Sequence, residues 1–471
     1  MPNPSLILKK NLILFLVNNI IAATGGSSAI YEHSVYPESQ WGSLGLLIDY
    51  GCETQNLTES QFGLASTDFR WNVSGTYQQV IPTYLSCAQN EDISEATEFL
   101  NEHFPSKTAL LNAIFLKGYQ WPFNADYIKN YGSSLIDFLV FKETTDKGRK
   151  VFLDYTRNPF QLSIADILGF LDKEYSLYLT KSGIEINIQL ETPVERLKFI
   201  NPKAYHLYLS HDIDLVKDPL AISVCAQHCN GGISGDIWWE SSKQGIFVIG
   251  EANGNHGVHR PGGAALNSGQ VGGLRASLKI IHGRYKTQIN NSKSIPSKKI
   301  TRIASDYIDQ ISQIFFKSSG VKKNPSLVLQ NIKKHMSEYG TIIRKSQNLH
   351  KVLNGLSNKV LTFFQDMSVQ SETIAELLHA LRAYDAFLTH LAYLQSINLY
   401  LIENGGSRGS YLVQKSEEYI DENPQFRQYI IKTRWDGKNF ISRLEKTRDI
   451  PRDENWFESI WNAYENGSWI D

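Results

Sequence analysis

Surplus charge of either sign is missing from this chain. Its 47 lysines and arginines meet 48 aspartates and glutamates, leaving a formal net charge of -1. No basic run with interleaved aromatics occurs, which excludes the electrostatic footprint of a nucleic-acid binder. Cysteine is scarce, at four residues in 471. Cys52, Cys87, Cys225 and Cys229 form no metal quartet and no haem-attachment or iron–sulfur spacing, so no metal site is expected and any electron partner lies on another chain. The Cys225-x3-Cys229 pair beside His228 is a thin ligand pattern, and buried free thiols in a reducing compartment are the alternative expectation. Long apolar runs are missing too. The one following Lys9 and Lys10 is interrupted by Asn18 and Asn19 and is too short to span a membrane. A signal peptide is its competing reading, but no small-residue cleavage site follows. A cytoplasmic protein is expected, peripheral to a membrane at most through a partner, and the sequons at Asn56, Asn72 and Asn466 carry no weight. Finally, no G-x-G-x-x-G opens a helix; the GGISG and NGGSRG runs have the wrong spacing and read as loops.

What is present suits a globular chain. At 42% hydrophobic and 20% charged residues, it has the material for large cores and the length for two or three domains. The richest stretch is Gly245–Arg275, GIFVIGEANGNHGVHRPGGAALNSGQVGGLR. Ile246–Ile249 form a short apolar run suited to a strand buried on both faces, and Glu251 follows at its carboxyl end, where open α/β sheets bind ligands. Pro261, Gly262 and Gly263 let backbone approach a ligand closely. From Ala264 the pattern turns helical, so free N–H groups and the positive dipole end converge on one pocket.

This run resembles the second flavin-binding segment of the fumarate reductase, succinate dehydrogenase and L-aspartate oxidase flavoproteins, in which G-L-[FY]-A-x-G-E leads to H-G-x-x-R-x-G-G-x-[AS]-L. Here the elements read GIFVIGE and HGVHRPGGAAL. The amino-terminal NLILFLVNNIIAATGGSSAIYEHS resembles the strand and A-T-G-G turn of the same flavoproteins, with the strand expected at Leu12–Ala22. The segment QFGLASTDFRWNVSG stands where they carry Q-F-H-P-T.

The resemblance implies an α/β fold: an incomplete FAD/NAD(P)-binding Rossmann-like domain in a mostly parallel sheet, with an inserted α+β capping domain and a carboxyl-terminal helical domain. Residues 1–80 and 222–300 would form the distal part of the FAD-binding domain. Residues 81–221 would be the capping lid over the substrate, and 301–471 the helical domain. In the last, Ser371 and Glu372 open a long amphipathic helix that stops at Asn404-Gly405-Gly406. The following SRGSYLV resembles the family's E-S-R-G, with Gly406 replacing the glutamate.

The implied cofactor is FAD, held through Ala23, Thr24, Gly25, Gly26, Glu251, Gly262, Gly263, Ala265 and Leu266. Glu251 would bind the ribityl hydroxyls, and the helix start would stabilise charge near N1 and O2 of the flavin. The implied catalytic residues are Arg260, His256 and His228. A guanidinium fork suits a substrate carboxylate, which lysine would not replace; a surface salt bridge is the other reading of Arg260. His256 and His259 are equally read as residues that orient the loop.

Several positions depart from the family pattern. Gly63 replaces the Q-F-H-P-T histidine, and Gln227 stands at the usual substrate-binding histidine of H-Y-x-x-G-G, with His228 beside it. The proton-donating arginine of the capping domain has no clear counterpart. Thr83 is nearest in order, and Arg70, Arg149 and Arg157 are possible stand-ins. The adenosine-gripping G-x-G-x-x-G half is missing, which implies a second chain that supplies it. Three expectations stay open: a flavin-dependent oxidoreductase component for a small carboxylate, completed by that partner; a non-catalytic scaffold or regulatory subunit; or a truncated inactive product.

Overall fold

The computed structural model of the chain describes residues 13–184, 190–282, 297–315, 324–367, 369, 373–450 and 452–468. In chain order its first strands are β1 (Ile20–Ala22), β2 (Thr54–Gln55), β3 (Ser60–Ser66), β4 (Trp71–Asn72) and β5 (Thr83–Cys87). Next come β6 (Thr97–Glu98), β7 (Lys150–Asp154), β8 (Leu220–Cys229), β9 (Gly232–Ile233) and β10 (Ile246–Val248). Five more follow: β11 (Ile343–Lys345), β12 (Leu412–Lys415), β13 (Glu418–Ile420), β14 (Tyr429–Trp435) and β15 (Phe440–Lys446). Four helices matter below: α1 (Leu44–Asp49), α2 (Ala264–His282), α3 (Pro325–Tyr339) and α4 (Ile374–Ile402).

The widest sheet has the order β4-β3-β8-β7-β5-β6 and is antiparallel throughout. Every residue of β3 is buried, as is all of β8 except Ala221. A strand covered on both faces reads as a near-continuous apolar run rather than an alternation, as β8 does over residues 220–226 and β3 does not. This sheet joins strands from both sides of the boundaries expected near residues 80 and 222.

A smaller pair lies at the amino-terminal side. β1 runs parallel to β10, with Ile20 opposite Ile246 and Ala22 opposite Val248. The strand expected over Leu12–Ala22 is thus only three residues long, and Leu12 lies outside the described residues. β10 offers only three partners, so Ile13–Val17 run past it without pairing and stay exposed at 52–78%. Among the described strands only this pair and β11–β12 are parallel. The mostly parallel sheet expected from sequence is therefore a two-stranded piece here.

The last region, expected to be helical, also supplies five strands. β14 pairs with β15 over seven residues on one side and with β2 on the other, tying the carboxyl-terminal part back to residue 54. The axis of this region is α4. The Thr373 hydroxyl caps it by accepting from the Glu376 N–H, while Ser371 and Glu372 lie outside the described residues. Asn404 turns left-handed at φ 61° and the Gly405 N–H closes on the Tyr400 carbonyl at 2.8 Å, which ends the helix as Asn-Gly predicts. Seventeen of its side chains are buried, from Leu377 to Tyr400, and it packs against α1, α3 and β14. Among the described residues no helix is long and apolar enough to cross a membrane.

Candidate functional site

The site is built around one half-buried carboxylate, Glu251, whose side chain is 18% exposed. β10 stops at Val248, Ile249 donates to the Ala22 carbonyl at 2.9 Å, and a turn at Gly250–Ala252 then carries Glu251 beneath the A-T-G-G turn. Its carboxylate accepts the Cys229 N–H at 2.7 Å and the Tyr36 hydroxyl. A side chain at Gly26 would place Cβ 2.6 Å from Glu251 Cδ, so only glycine lets the turn lie against the carboxylate. Burial raises the Glu251 pKa, opposed by the Tyr36 and Cys229 bonds. Burial, then the Glu251 charge, pushes the Cys229 thiol up to about 12, which leaves it a protonated thiol at neutral pH. All four cysteines are buried and free.

Two histidines stand beside this node. The rings of His228 and His256 meet edge to face with centroids 4.8 Å apart, and His228 Nε2 lies 3.8 Å from a Glu251 oxygen. Asn230 decides the tautomer. Its amide nitrogen donates to the carbonyls of Gly257 and Val258 at 3.0 and 3.3 Å, which turns Oδ1 toward His228 Nδ1 at 3.0 Å. That nitrogen therefore carries the proton, and Nε2 is a buried acceptor without a hydrogen-bond partner among the described residues. Burial lowers both imidazoles to about 4, helped by Arg260 at His228 and by His228 and then Arg260 at His256. Both are neutral at physiological pH.

Arg260 is half-buried, and Nε and Nη2 both donate to Gln61 Oε1, at 3.0 and 2.8 Å. Gln61 is the second residue of β3, opposite His228 of β8, so the sheet register itself joins the Q-F segment to the histidine. Two residues on, the Gly63 carbonyl accepts from Gln227 Nε2 at 3.0 Å. A Cβ at Gly63 would lie 2.6 Å from Nε1 of Trp121, whose buried indole N–H has no partner among the described residues. The volume a side chain at 63 would need is filled by that indole.

The other expected residues lie around this centre. Ala23 and Thr24 are exposed, and Gln40 Nε2 donates to the Thr24 carbonyl at 2.6 Å, beside Gly25 at φ 75°. Gly262 and Gly263 are exposed, and Gly263 has φ 81°, the left-handed turn that opens α2. Ala265 is half-buried and Leu266 is 75% exposed. His259 is also exposed.

None of the stand-in cations is free among the described residues. Arg70 binds Glu38 at 2.9 Å and the Tyr36 carbonyl, Arg149 binds Glu143 at 3.0 Å, and Arg157 binds Asp154 at 2.9 Å. Thr83 donates to the Arg157 carbonyl at 2.7 Å. Arg408 of the SRGS segment binds Glu59 at 2.6 Å, both side chains nearly buried, and also donates to the Phe426 carbonyl and the Tyr411 hydroxyl. Its neighbour Gly409 lies against Val258, with a Cβ there 2.8 Å from Val258 Cγ1, so this turn backs the H-G-V-H-R loop.

Sequence reasoning passed over Tyr36, Trp121 and Asn230. Asn230 had a signal, since Asn before Gly-Gly marks a turn whose side chain bonds nearby backbone. Trp121 had none, because its partner Gly63 stands in a distant segment of the chain.

No family model matches the chain. An L-aspartate oxidase of Pyrococcus abyssi is 28% identical over 143 residues, which are 30% of this chain and 30% of that protein. One subunit of the fumarate reductase (CoM/CoB) from Methanothermobacter marburgensis is 23% identical over 239 residues, 50% of this chain and 40% of the relative. Among solved structures, Sdh1 of Mycobacterium smegmatis in complex with UQ1 has a TM-score of 0.64 at 16% identity, covering 95% of this chain and 65% of that one. A quinol-fumarate reductase with menaquinol molecules has a TM-score of 0.61 at 14% identity, covering 95% of this chain and 69% of the other. The matched region thus spans well under half of these curated relatives. The chain resembles the fumarate reductase, succinate dehydrogenase and L-aspartate oxidase flavoproteins, whose fold of mixed helix and sheet it shares.

Proposed function

We propose that this chain is the substrate-side component of an FAD-dependent oxidoreductase for a small carboxylate, working with a partner chain that supplies the amino-terminal dinucleotide-binding half. The observation that carries the reading is the Glu251 node: a half-buried carboxylate joins the A-T-G-G turn, the end of β8 and the strand leading to α2. The fit to FAD rests on the exposed backbone beside that node. Around Gly262 and Gly263 nothing among the described residues stands within 4 Å of where a Cβ would be, and the start of α2 is open, which suits close approach of a planar ring and a developing negative charge. Gly25, Gly26, Gly262, Gly263, Ala265 and Leu266 would hold it, with Glu251 fixing the turn. When bound, FAD supplies hydride acceptance or delivery at its N5 atom.

The chain's own residues do the rest. Gln61 aims the Arg260 guanidinium, which binds a substrate carboxylate through two parallel N–H groups. Neutral, buried His228 and His256 offer acceptors and add no competing charge. Residues 81–221 act as the lid, and closure over the site excludes water. The expected domain division, 1–80 with 222–300, then 81–221, then 301–471, belongs to this reading.

The partner is supported by the surface around β1. Ile13, Leu14, Phe15, Leu16 and Val17 are more than half exposed, as are Leu266 and Leu274, and the outer edge of β1 bears no strand among the described residues. An apolar unpaired edge of this kind invites strand addition by another chain. The visible spectrum of the purified chain, alone and co-expressed with its genomic neighbour, tests the proposal. Flavin absorbance appearing in the pair is expected, and a colourless, well-folded complex would refute it.

A second reading, a non-catalytic scaffold that keeps the fold without turning over, is favoured by Trp121 filling the space at Gly63 and by Gln227 bonding the backbone there. It is abandoned if bound flavin is bleached by a reductant and reoxidised by an acceptor.

A further inference from the structure

The loop that carries Tyr36 also lines a second, open concavity, flanked by α3 and α4. This groove has a volume of about 530 Å³, the scale of a small-molecule site. Arg70 comes from just beyond the end of β3, Lys333 from α3, and His379 and Arg382, one turn apart, from α4. Trp41 adds an aromatic wall. Among the described residues the only carboxylate in the lining is Glu38, which is paired with Arg70 at 2.9 Å. Three permanent cations less one carboxylate leave a local charge of +2 in a chain whose total is -1. Among the described residues Lys333 and Arg382 have no ion-pair partner, so two cations face one concavity uncompensated.

Like charges held in a concave, partly apolar lining focus a positive potential, and a multivalent anion relieves it. Arginine forks and a lysine together recognise phosphoryl or carboxylate oxygens. We propose that this groove is a binding site for a small multivalent anion, phosphorylated or polycarboxylic, separate from the Glu251 node. The two sites are joined by a single residue: Arg70 donates to the Tyr36 carbonyl at 2.8 Å, and the Tyr36 hydroxyl donates to Glu251. Occupancy of the groove therefore bears on the stretch of backbone that supports Glu251. The inference goes beyond the flavin reading and stands without it.

Isothermal titration calorimetry of the full chain at low ionic strength, with inorganic pyrophosphate and with citrate as separate probes, tests it. Saturable binding of at least one probe is expected, weakening with added salt and at least tenfold weaker in the double variant K333E/R382E. The tighter probe identifies phosphoryl or carboxylate as the recognised group. Arg382 is exposed and Lys333 half-buried; if charge reversal unfolds the chain by circular dichroism, K333Q/R382Q replaces it, with the same loss expected. Binding of neither probe overturns the proposal, and so does binding unchanged in the folded variant, which would put the anion outside this groove. Flavin absorbance read on the same samples reports separately on the function proposed above.

Discussion

Gln61 accepts two hydrogen bonds from one side of the Arg260 guanidinium, at 3.0 and 2.8 Å, while Nη1 on the other side makes a longer bond to the Pro261 carbonyl at 3.4 Å. An arginine held this way has lost much of its rotamer freedom before a ligand arrives, which lowers the entropy cost of binding a carboxylate. Replacing Gln61 by leucine keeps the volume and removes the acceptor. Binding of a small carboxylate such as succinate, measured calorimetrically, is expected to weaken about tenfold, or ~1.4 kcal/mol. Arg260→Lys removes the fork itself and is expected to weaken it by roughly a hundredfold, ~2.7 kcal/mol. Equal affinity in all three proteins would place the carboxylate elsewhere.

Gly63 and Trp121 form the second pair. With Nε1 only 2.6 Å from a would-be Cβ, even alanine at 63 forces the indole to shift. Overpacking of this kind costs about 1–3 kcal/mol, and G63A is expected to lower the urea midpoint accordingly. In a W121A background the same substitution is expected to cost less than ~0.5 kcal/mol, because the obstruction is gone. Additive effects of the two changes would mean that the indole does not occupy this space.

These two pairs mark what was legible in the sequence. GIFVIGE and HGVHRPGGAAL announce a strand, a turn and a helix through local pattern, and Ile246–Val248 and Ala264–His282 take those forms. Which residues close over that stretch was not legible, because the contacts join distant segments. Trp121 reaches Gly63, and Tyr36 reaches Glu251 across 215 positions. Strand pairing was obscured for the same reason. Ser60–Ser66 reads as a mixed polar run, yet it is buried throughout because β8 and its other neighbours cover it. β14 and β15 sit in a region whose long helix dominates the periodicity.

The Glu59–Arg408 ion pair ties the start of β3 to the turn after α4 across 349 positions, with side chains 2% and 7% exposed. Thr58 and Tyr411 donate to the same oxygen of Glu59. Breaking such a pair strands a charge in low dielectric, so Glu59→Gln is expected to cost about 3–5 kcal/mol. Because Gly409 beside it rests on Val258, the loss should also loosen the H-G-V-H-R loop. Urea denaturation measures the first effect, and hydrogen exchange of the 256–260 loop the second. A variant as stable as the parent would show that the pair contributes nothing net.

Asp385 provides the clearest dependence on pH. It lies on α4 at 4% exposure, accepts the Leu46 N–H at 3.0 Å, and its own backbone packs against Gly45, so it is part of the joint between α4 and α1. Burial raises its carboxyl to about 7, opposed only in part by the Leu46 and Gly45 N–H groups. In the unfolded chain the same group titrates near ~3.9. Between these values the folded state binds more protons than the unfolded state, so this residue's contribution to stability falls as pH rises through the window and levels off above it. A shift of about three units corresponds to roughly 4 kcal/mol at about pH 8. Asp385→Asn keeps an oxygen for Leu46 and removes the charge. The variant is expected to be more stable than the parent at about pH 8, by up to that amount, and indistinguishable from it near about pH 4. Taking the difference between the two unfolding curves at each pH cancels the opposite acid sensitivity of His228 and His256, which remain in both proteins. A difference that stays flat from about pH 4 to about pH 8 would show that Asp385 is ionised in the folded chain without penalty.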